Sequence, residues 1–348
     1  MTAAAVIHGG VRLSELLEGL ARVPAGTDLE VSGLALDSRA VSAGDLFLAV
    51  AGGQAHGLEY ATQAVAAGAV AVAWEPTPDL DEAAPALREL PVPAVAVEGL
   101  GARVSEIAGR FYGHPSADLF MVGVTGTDGK TSCSHFIAQA LGGGEPCGLV
   151  GTLGYGLYGR LRQGTHTTPD PVRLQAELAE IRDQGAAAAV MEVSSHALDQ
   201  HRAAAVRFDV AVLTNLGRDH LDYHGTLAAY AEAKGRLFRH AGLKAAVLNL
   251  DDAFGRELLA ALPDGVEGLG YSLTPGGARA AGRWLEAEVT SDGEGLHLAV
   301  ASDQGQGELR VRLLGRFNAS NLLAALGVLL VRGLEFDEAL ARLRQVRT

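Results

Sequence analysis

A chain of 348 residues, 48% hydrophobic and 20% charged, has the length for two domains with substantial cores, which excludes a disordered or collagen-like chain. Its formal charge of -13 opposes a sequence-independent grip on a phosphate backbone, so nucleic acid is not an expected partner. Met1 to Gly10 lack the basic start and apolar core of a signal peptide, and no apolar stretch reaches membrane-spanning length, so a cytoplasmic protein without a membrane partner is expected.

In chain order, Asp45 to Val50 reads as a strand, Leu58 to Ala67 as an amphipathic helix and Ala69 to Trp74 as a second strand. A Pro- and acid-rich loop runs to Pro91, and a helix is expected from Leu100 to Tyr112. Gly113-His114-Pro115-Ser116 marks a boundary, giving domains over 1–114 and 115–348. The second part repeats strand and helix: Leu119 to Val124, then strands near Ala187 to Glu192, Val210 to Asn215 and Ala245 to Asn249. That alternation predicts an α/β fold, a small N-terminal α/β domain followed by a phosphate-loop domain with a mostly parallel sheet. Arg283 to Leu314 alternates apolar and polar residues between glycines and reads as an antiparallel patch, and helices over Asn318 to Arg332 and Glu335 to Arg344 end the chain.

The apolar run Leu119 to Val124 feeds Gly126-Thr127-Asp128-Gly129-Lys130-Thr131 and then a helical pattern. Strand, glycine loop and helix together make an anion cradle: backbone N–H groups turn inward, the helix N-terminus adds favourable dipole, Lys130 reaches outer phosphates and the Thr131 hydroxyl can ligate magnesium. ATP binding follows, although Val124 stands where the common G-x-x-x-x-G-K-T pattern has its first glycine. Of 28 basic residues only Lys130, Lys234 and Lys244 are lysines, so positions that keep a compact, deprotonatable amine stand out against an arginine background. Cys133 and Cys147 have no metal spacing and read as buried free thiols.

The loop and its companions resemble the Mur ligase family: Leu36-Asp37-Ser38-Arg39, Thr167-Thr168-Pro169-Asp170, Met191-Glu192-Val193-Ser194-Ser195-His196, Thr214-Asn215-Leu216, Asp219-His220-Leu221-Asp222-Tyr223-His224-Gly225 and Ala233-Lys234. The resemblance implies an ADP-forming ligase of peptidoglycan precursor synthesis that joins a diamino acid to UDP-N-acetylmuramoyl-L-alanyl-D-glutamate through an acyl phosphate. It implies ATP contacts at Gly126, Thr127, Asp128, Gly129, Lys130, Thr131, Ser132 and Asn318, with Asp128 replacing the commoner Asn. Catalytic roles fall on Lys130, Glu192, His220 and Lys234, and magnesium on Thr131, Glu192, His220 and a carbon dioxide-derived carbamate of Lys234.

From the residues alone Glu192 could be an exposed strand-end carboxylate, His220 part of a solvated loop, Lys234 a surface lysine and Asn318 a helix N-cap. Substrate contacts are implied at Leu36, Ser38, Gln54, Ala55, Thr167, Thr168, Ser194, Gln200 and Arg202, with departures from family forms at Gly53 and His166. Family members carry a third, amino-acid-binding domain beyond the region matched here, so a separate chain supplying it is a possible partner. The alternatives are a catalytically silent nucleotide and sugar-nucleotide binding protein, and a folylpolyglutamate-type ligase.

Overall fold

The computed structural model describes residues 9–53, 55–78, 87, 89–164 and 166–347. The described chain divides into two compact units, one of residues 1–115 with 170–179 and 200–206, the other of 116–169, 180–199 and 207–348. Among the described residues no helix is long and apolar enough to cross a membrane.

In the first unit a small antiparallel pair, β1 (Val11–Arg12) and β2 (Glu30–Val31), accompanies a four-stranded parallel sheet of β3 (Gly33–Ala35), β4 (Asp45–Ala49), β5 (Ala71–Trp74) and β6 (Ala94–Ala96), in that order. β4 is buried along its whole length, as a central parallel strand must be when both faces are covered. Period-two geometry sends Leu46 and Leu48 into a core with Leu13, Leu16, Ile107 and Phe111, and Phe47 and Ala49 into another with Ala61, Ala64 and Val72. The helix Leu100–Phe111 lays an apolar stripe on the first core. The predicted loop before Pro91 falls largely outside the described residues.

The second unit is built on a ten-stranded sheet in the order β16-β15-β14-β13-β12-β11-β7-β10-β8-β9. These strands are β7 (Phe120–Thr125), β8 (Cys147–Gly151), β9 (Gly154–Leu157), β10 (Ala188–Glu192), β11 (Val210–Leu213), β12 (Ala245–Asn249), β13 (Glu267–Ser272), β14 (Arg283–Ser291), β15 (Leu296–Ser302) and β16 (Gln306–Val311). From β8 across to β14 every pairing is parallel, whereas β9 at one edge and β15 and β16 at the other are antiparallel. The expected antiparallel patch is therefore present, but it is not detached: β14 pairs in parallel with β13 through Leu269–Arg283 to Ser272–Glu286 before turning into the hairpins.

β7 lies between β10 and β11, and the chain leaves it first toward β8 and later returns on its other side to β11. Such a switch point opens a crevice beyond the carboxyl ends of the strands. The helix Arg316–Val331, buried on nearly all sides, joins Val122, Phe136, Val247 and Leu285 in one core, so its N-terminal turn is held firmly. Cys133 and Cys147 are buried free thiols, and burial raises both thiol pKa values, that of Cys147 to about 12.

Candidate functional site

β7 delivers Thr125 to the switch point, and the helix Lys130–Leu141 starts five residues later. Gly126 and Gly129 take φ values of 149° and 82°, a region that L side chains enter only under strain. The turn is clamped by the segment after β11. Thr127 N–H donates to the Asn215 carbonyl at 3.0 Å, and Asp128 N–H to Asn215 Oδ1 at 3.0 Å. The Asp128 carbonyl accepts from Asn215 Nδ2 at 3.0 Å and Thr214 Oγ1 at 2.7 Å.

The first intrahelical bond, Cys133 N–H to Gly129 O, leaves the amides of Lys130, Thr131 and Ser132 directed out of the helix, with no side-chain cap on Gly129. Outward-directed amides and the helix dipole together give this end of the helix the polarity that suits an anion. Asn215→Ala removes both side-chain ties to Asp128 and is expected to lower stability by about 1–2 kcal/mol and weaken nucleotide binding, measurable by urea unfolding and nucleotide titration.

Two lysines converge on one carbonyl. Lys130 Nζ donates to Gly126 O at 3.0 Å and Thr127 O at 2.8 Å, while Lys234 Nζ donates to Gly126 O at 2.7 Å. Burial lowers the pKa of Lys130, opposed chiefly by the Glu192 carboxylate. Lys234, 1% exposed, has its pKa lowered to about 7, first by burial and then by the Lys130 ammonium. Its amine also lies over the Tyr230 ring, 4.4 Å from the centroid, and Tyr230 Oη meets Thr127 Oγ1 at 3.2 Å. Lys234 is therefore a buried amine, not a surface lysine.

Glu192 is fully buried at the end of β10 and gathers hydroxyl groups. Thr131 Oγ1 donates to Oε2 at 2.9 Å, Thr152 Oγ1 to Oε2 at 3.1 Å and Thr152 N–H to Oε1 at 2.9 Å. A carboxylate beside a helix-terminal hydroxyl is an oxygen donor set suited to magnesium. Among the described residues no three His, Cys, Asp or Glu side chains form a ready metal cluster.

His220 has a left-handed φ of 52°, lies 3.5 Å from Asp219, and meets His196 edge to face with ring centroids 4.8 Å apart. His224 Nε2 meets Ser195 Oγ at 3.0 Å, and loss of hydration lowers its pKa, with Lys234 and Arg236 adding to that effect and Asp199 opposing it. Asp222 lies in the same short helix, Leu221–His224.

Thr168 Oγ1 donates to the Glu192 carbonyl at 2.8 Å and accepts from Ser194 N–H at 3.1 Å, and Thr167 Oγ1 meets Thr152 Oγ1 at 3.0 Å. Asn318 is buried in the first turn of its helix and donates to Leu314 O at 2.8 Å. The N-cap is Gly315 instead, which removes the capping alternative for Asn318. One turn on, Asn321 Oδ1 would lie 2.8 Å from a Cβ on Gly129. Sequence reasoning passed over Asn321, Thr152, Asn215 and Tyr230. Asn215 lies inside the segment Thr214-Asn215-Leu216 and Asn321 inside the helix expected from Asn318 to Arg332, whereas Thr152 follows a strand, Cys147–Gly151, that the sequence pattern did not reveal.

In the first unit Leu36, Ser38 and Ala55 line a cavity of about 460 Å³ together with Phe47, Tyr60 and Gln63. Ser38 Oγ donates to Gln63 Oε1 at 3.2 Å, and hydrogen bonds from Arg39 lower the pKa of Asp37 to about 2. Gln54 lies outside the described residues. Gln200 and Arg202 are paired through Arg202 Nε and Gln200 Oε1 at 2.9 Å.

Residues 30–112 match the profile described as Mur ligase family, catalytic domain, and residues 124–329 the Mur ligase middle domain. The UDP-N-acetylmuramoyl-L-alanyl-D-glutamate–2,6-diaminopimelate ligase of Alkalilimnicola ehrlichii is 50% identical over 345 residues, covering 97% of this chain and 68% of its own length. That of Pseudomonas aeruginosa is 51% identical over 322 residues, covering 92% and 64%. A solved structure of a ligase of the same name superposes with a TM-score of 0.82 at 31% identity, over 97% of this chain and 67% of that one. The chain thus spans about two thirds of the length of the curated relatives it matches.

Proposed function

We propose, on the premise that this chain belongs to the Mur ligase family, that it carries the nucleotide-sugar and ATP-handling parts of a ligase adding 2,6-diaminopimelate to UDP-N-acetylmuramoyl-L-alanyl-D-glutamate. The observation that carries the reading is the convergence of Lys130 and Lys234 on Gly126 O beside a helix N-terminus whose Thr131 hydroxyl meets Glu192. In this reading residues 1–114 receive the uridine end through Leu36, Ser38, Gln54 and Ala55, while 115–348 work the phosphates. Thr167, Thr168, Ser194, Gln200 and Arg202 supply hydroxyls, an amide and a guanidinium for the anionic parts of the substrate.

The amides of Lys130, Thr131 and Ser132 cradle the phosphates, while those of Thr127 and Asp128 stay tied to Asn215, and Lys130 turns from its own loop carbonyls to the outer phosphate oxygens. The D-glutamyl γ-carboxylate oxygen attacks the terminal phosphorus as the bond to ADP breaks, and the resulting acyl phosphate is opened by the amine, which loses a proton as phosphate leaves. Magnesium, when bound, supplies charge neutralisation at those oxygens, and Thr131, Glu192 and His220 are its proposed holders. Lys234 completes that set as a carbamate: its neutral amine forms a bond to carbon dioxide and releases a proton. A pKa lowered to about 7 supports that step, since the neutral amine is available near neutral pH. Asn318 is proposed to approach adenine.

The test is ADP release with the sugar-nucleotide dipeptide and a panel of diamino acids, with and without a separately expressed C-terminal domain of a relative. Release favouring 2,6-diaminopimelate is expected, and Lys130→Ala should abolish it. Binding of both ligands with no ADP release in any arm would overturn the ligase reading and leave a binding protein.

A further inference from the structure

The short hairpin between β8 and β9 reaches the same carboxylate from the side opposite the phosphate loop. β8 ends at Gly151, where a Cβ would lie 2.3 Å from Glu192 Oε1, so glycine is what lets the carboxylate lie against the strand end. Thr152 follows and binds both oxygens of Glu192, Oε1 through its N–H at 2.9 Å and Oε2 through its hydroxyl at 3.1 Å.

A carboxylate accepts and a hydroxyl has one proton, so the Thr152 proton points at Glu192. The 3.0 Å contact between Thr152 Oγ1 and Thr167 Oγ1 then runs in one direction, with Thr167 donating. A directed chain results: Thr167 to Thr152 to Glu192, with Thr131 donating to Glu192 from the phosphate side. In this arrangement Thr167 offers a ligand lone pairs only.

We infer that Thr152 is a positioning residue that couples the phosphate site to the Thr167 end, switching Thr167 from acceptor to donor toward its ligand. When phosphates and their magnesium engage Thr131 and Glu192, the carboxylate no longer requires the Thr152 proton. Thr152 then turns its proton toward Thr167 Oγ1, and the Thr167 proton is released toward an anionic group of the sugar nucleotide. The inference rests on the proposed reading of Thr167 as a substrate contact. Coupling through one hydroxyl is expected to raise affinity for the second ligand by roughly 5–10-fold.

Calorimetric titration of the full chain with UDP-N-acetylmuramoyl-L-alanyl-D-glutamate, with and without a non-hydrolysable ATP analogue and magnesium, reads that coupling directly. In the wild type the analogue should tighten sugar-nucleotide binding by that factor. Thr152→Val, which keeps the shape and the backbone N–H, should bind each ligand but bring the ratio to about one, and Thr152→Ser should restore it. Thr152→Ala replaces the valine variant if its melting temperature falls. A wild type without coupling, a Thr152→Val variant that keeps it, or one that weakens both ligands with an unchanged ratio overturns the inference. A wild type that binds no sugar nucleotide defeats the proposed function itself, a separate outcome.

Discussion

Lys234→Met is expected to make the protein more stable at neutral pH and, on the proposed reading of this lysine, inactive as a ligase. The amine is 1% exposed and shares Gly126 O with Lys130, so its charged form lacks water and faces a like charge. Its pKa is lowered to about 7 from an ordinary value of 10.5. Between these values the unfolded chain holds a proton that the folded chain has released, so wild-type stability rises with pH across the window and is lower by a constant amount below it. Methionine is uncharged in both states. The stability advantage of Lys234→Met should therefore be full below about pH 7, of the order of 3–5 kcal/mol before the lost hydrogen bond is subtracted, and shrink toward pH 10.

Urea unfolding of both proteins at about pH 6, 8 and 10 measures the difference. A constant difference would show that Lys234 keeps its ordinary pKa. Lys234→Arg separates charge from chemistry: a guanidinium holds its proton at every pH in the window, so this variant should be less stable than wild type and equally unable to form a carbamate.

The position of that lysine was not legible locally. The helix Leu227–Gly235 reads LAAYAEAKG, apolar with no sharp stripe, and nothing in it distinguishes a solvated lysine from a buried one. What buries Lys234 is a carbonyl 108 residues earlier in the chain, set by a turn that only tertiary packing places there. The loop itself was legible because all its determinants are consecutive: an apolar strand, two glycines and a helix start.

The sheet was legible where a strand is an apolar run ended by one polar residue, as in β10 and β12, and not where glycines do the work. β9 is the short run Gly154–Leu157, held as an edge by Gly154, whose φ of 132° no β-branched residue would accept. β14 begins buried through Leu285, Glu286 and Ala287 and ends exposed, so alternation revealed its hairpin half and concealed its parallel half. The hydroxyl network on Glu192 joins Thr131 at a helix start to Thr152 and Glu192 at the ends of two strands, a grouping that spacing in the chain does not encode.

Gly126→Ala tests whether the loop's geometry, and not its lysine alone, holds the nucleotide. A Cβ at 126 would lie 1.9 Å from Thr214 Oγ1 and 3.1 Å from both the N and O of Asn215, while the residue also holds φ at 149°. Thr214 cannot withdraw freely, because its hydroxyl donates to Asp128 O at 2.7 Å and its N–H to Thr125 O at 3.0 Å. The contact must therefore part the loop from the end of β11, breaking the ties that present the amides and carrying away the carbonyl that both lysines bind.

The cost combines overpacking with a backbone conformation alanine avoids, about 2–4 kcal/mol together, and nucleotide binding should fall below detection while the sheet stays folded. Thr214→Ala in the same chain removes the colliding oxygen but leaves the φ. The double variant should recover part of the lost stability, measured by urea unfolding, and little of the nucleotide affinity. If Gly126→Ala binds nucleotide like the wild type, the cradle does not depend on this turn, and Lys130 with the helix N-terminus is enough to hold the phosphates.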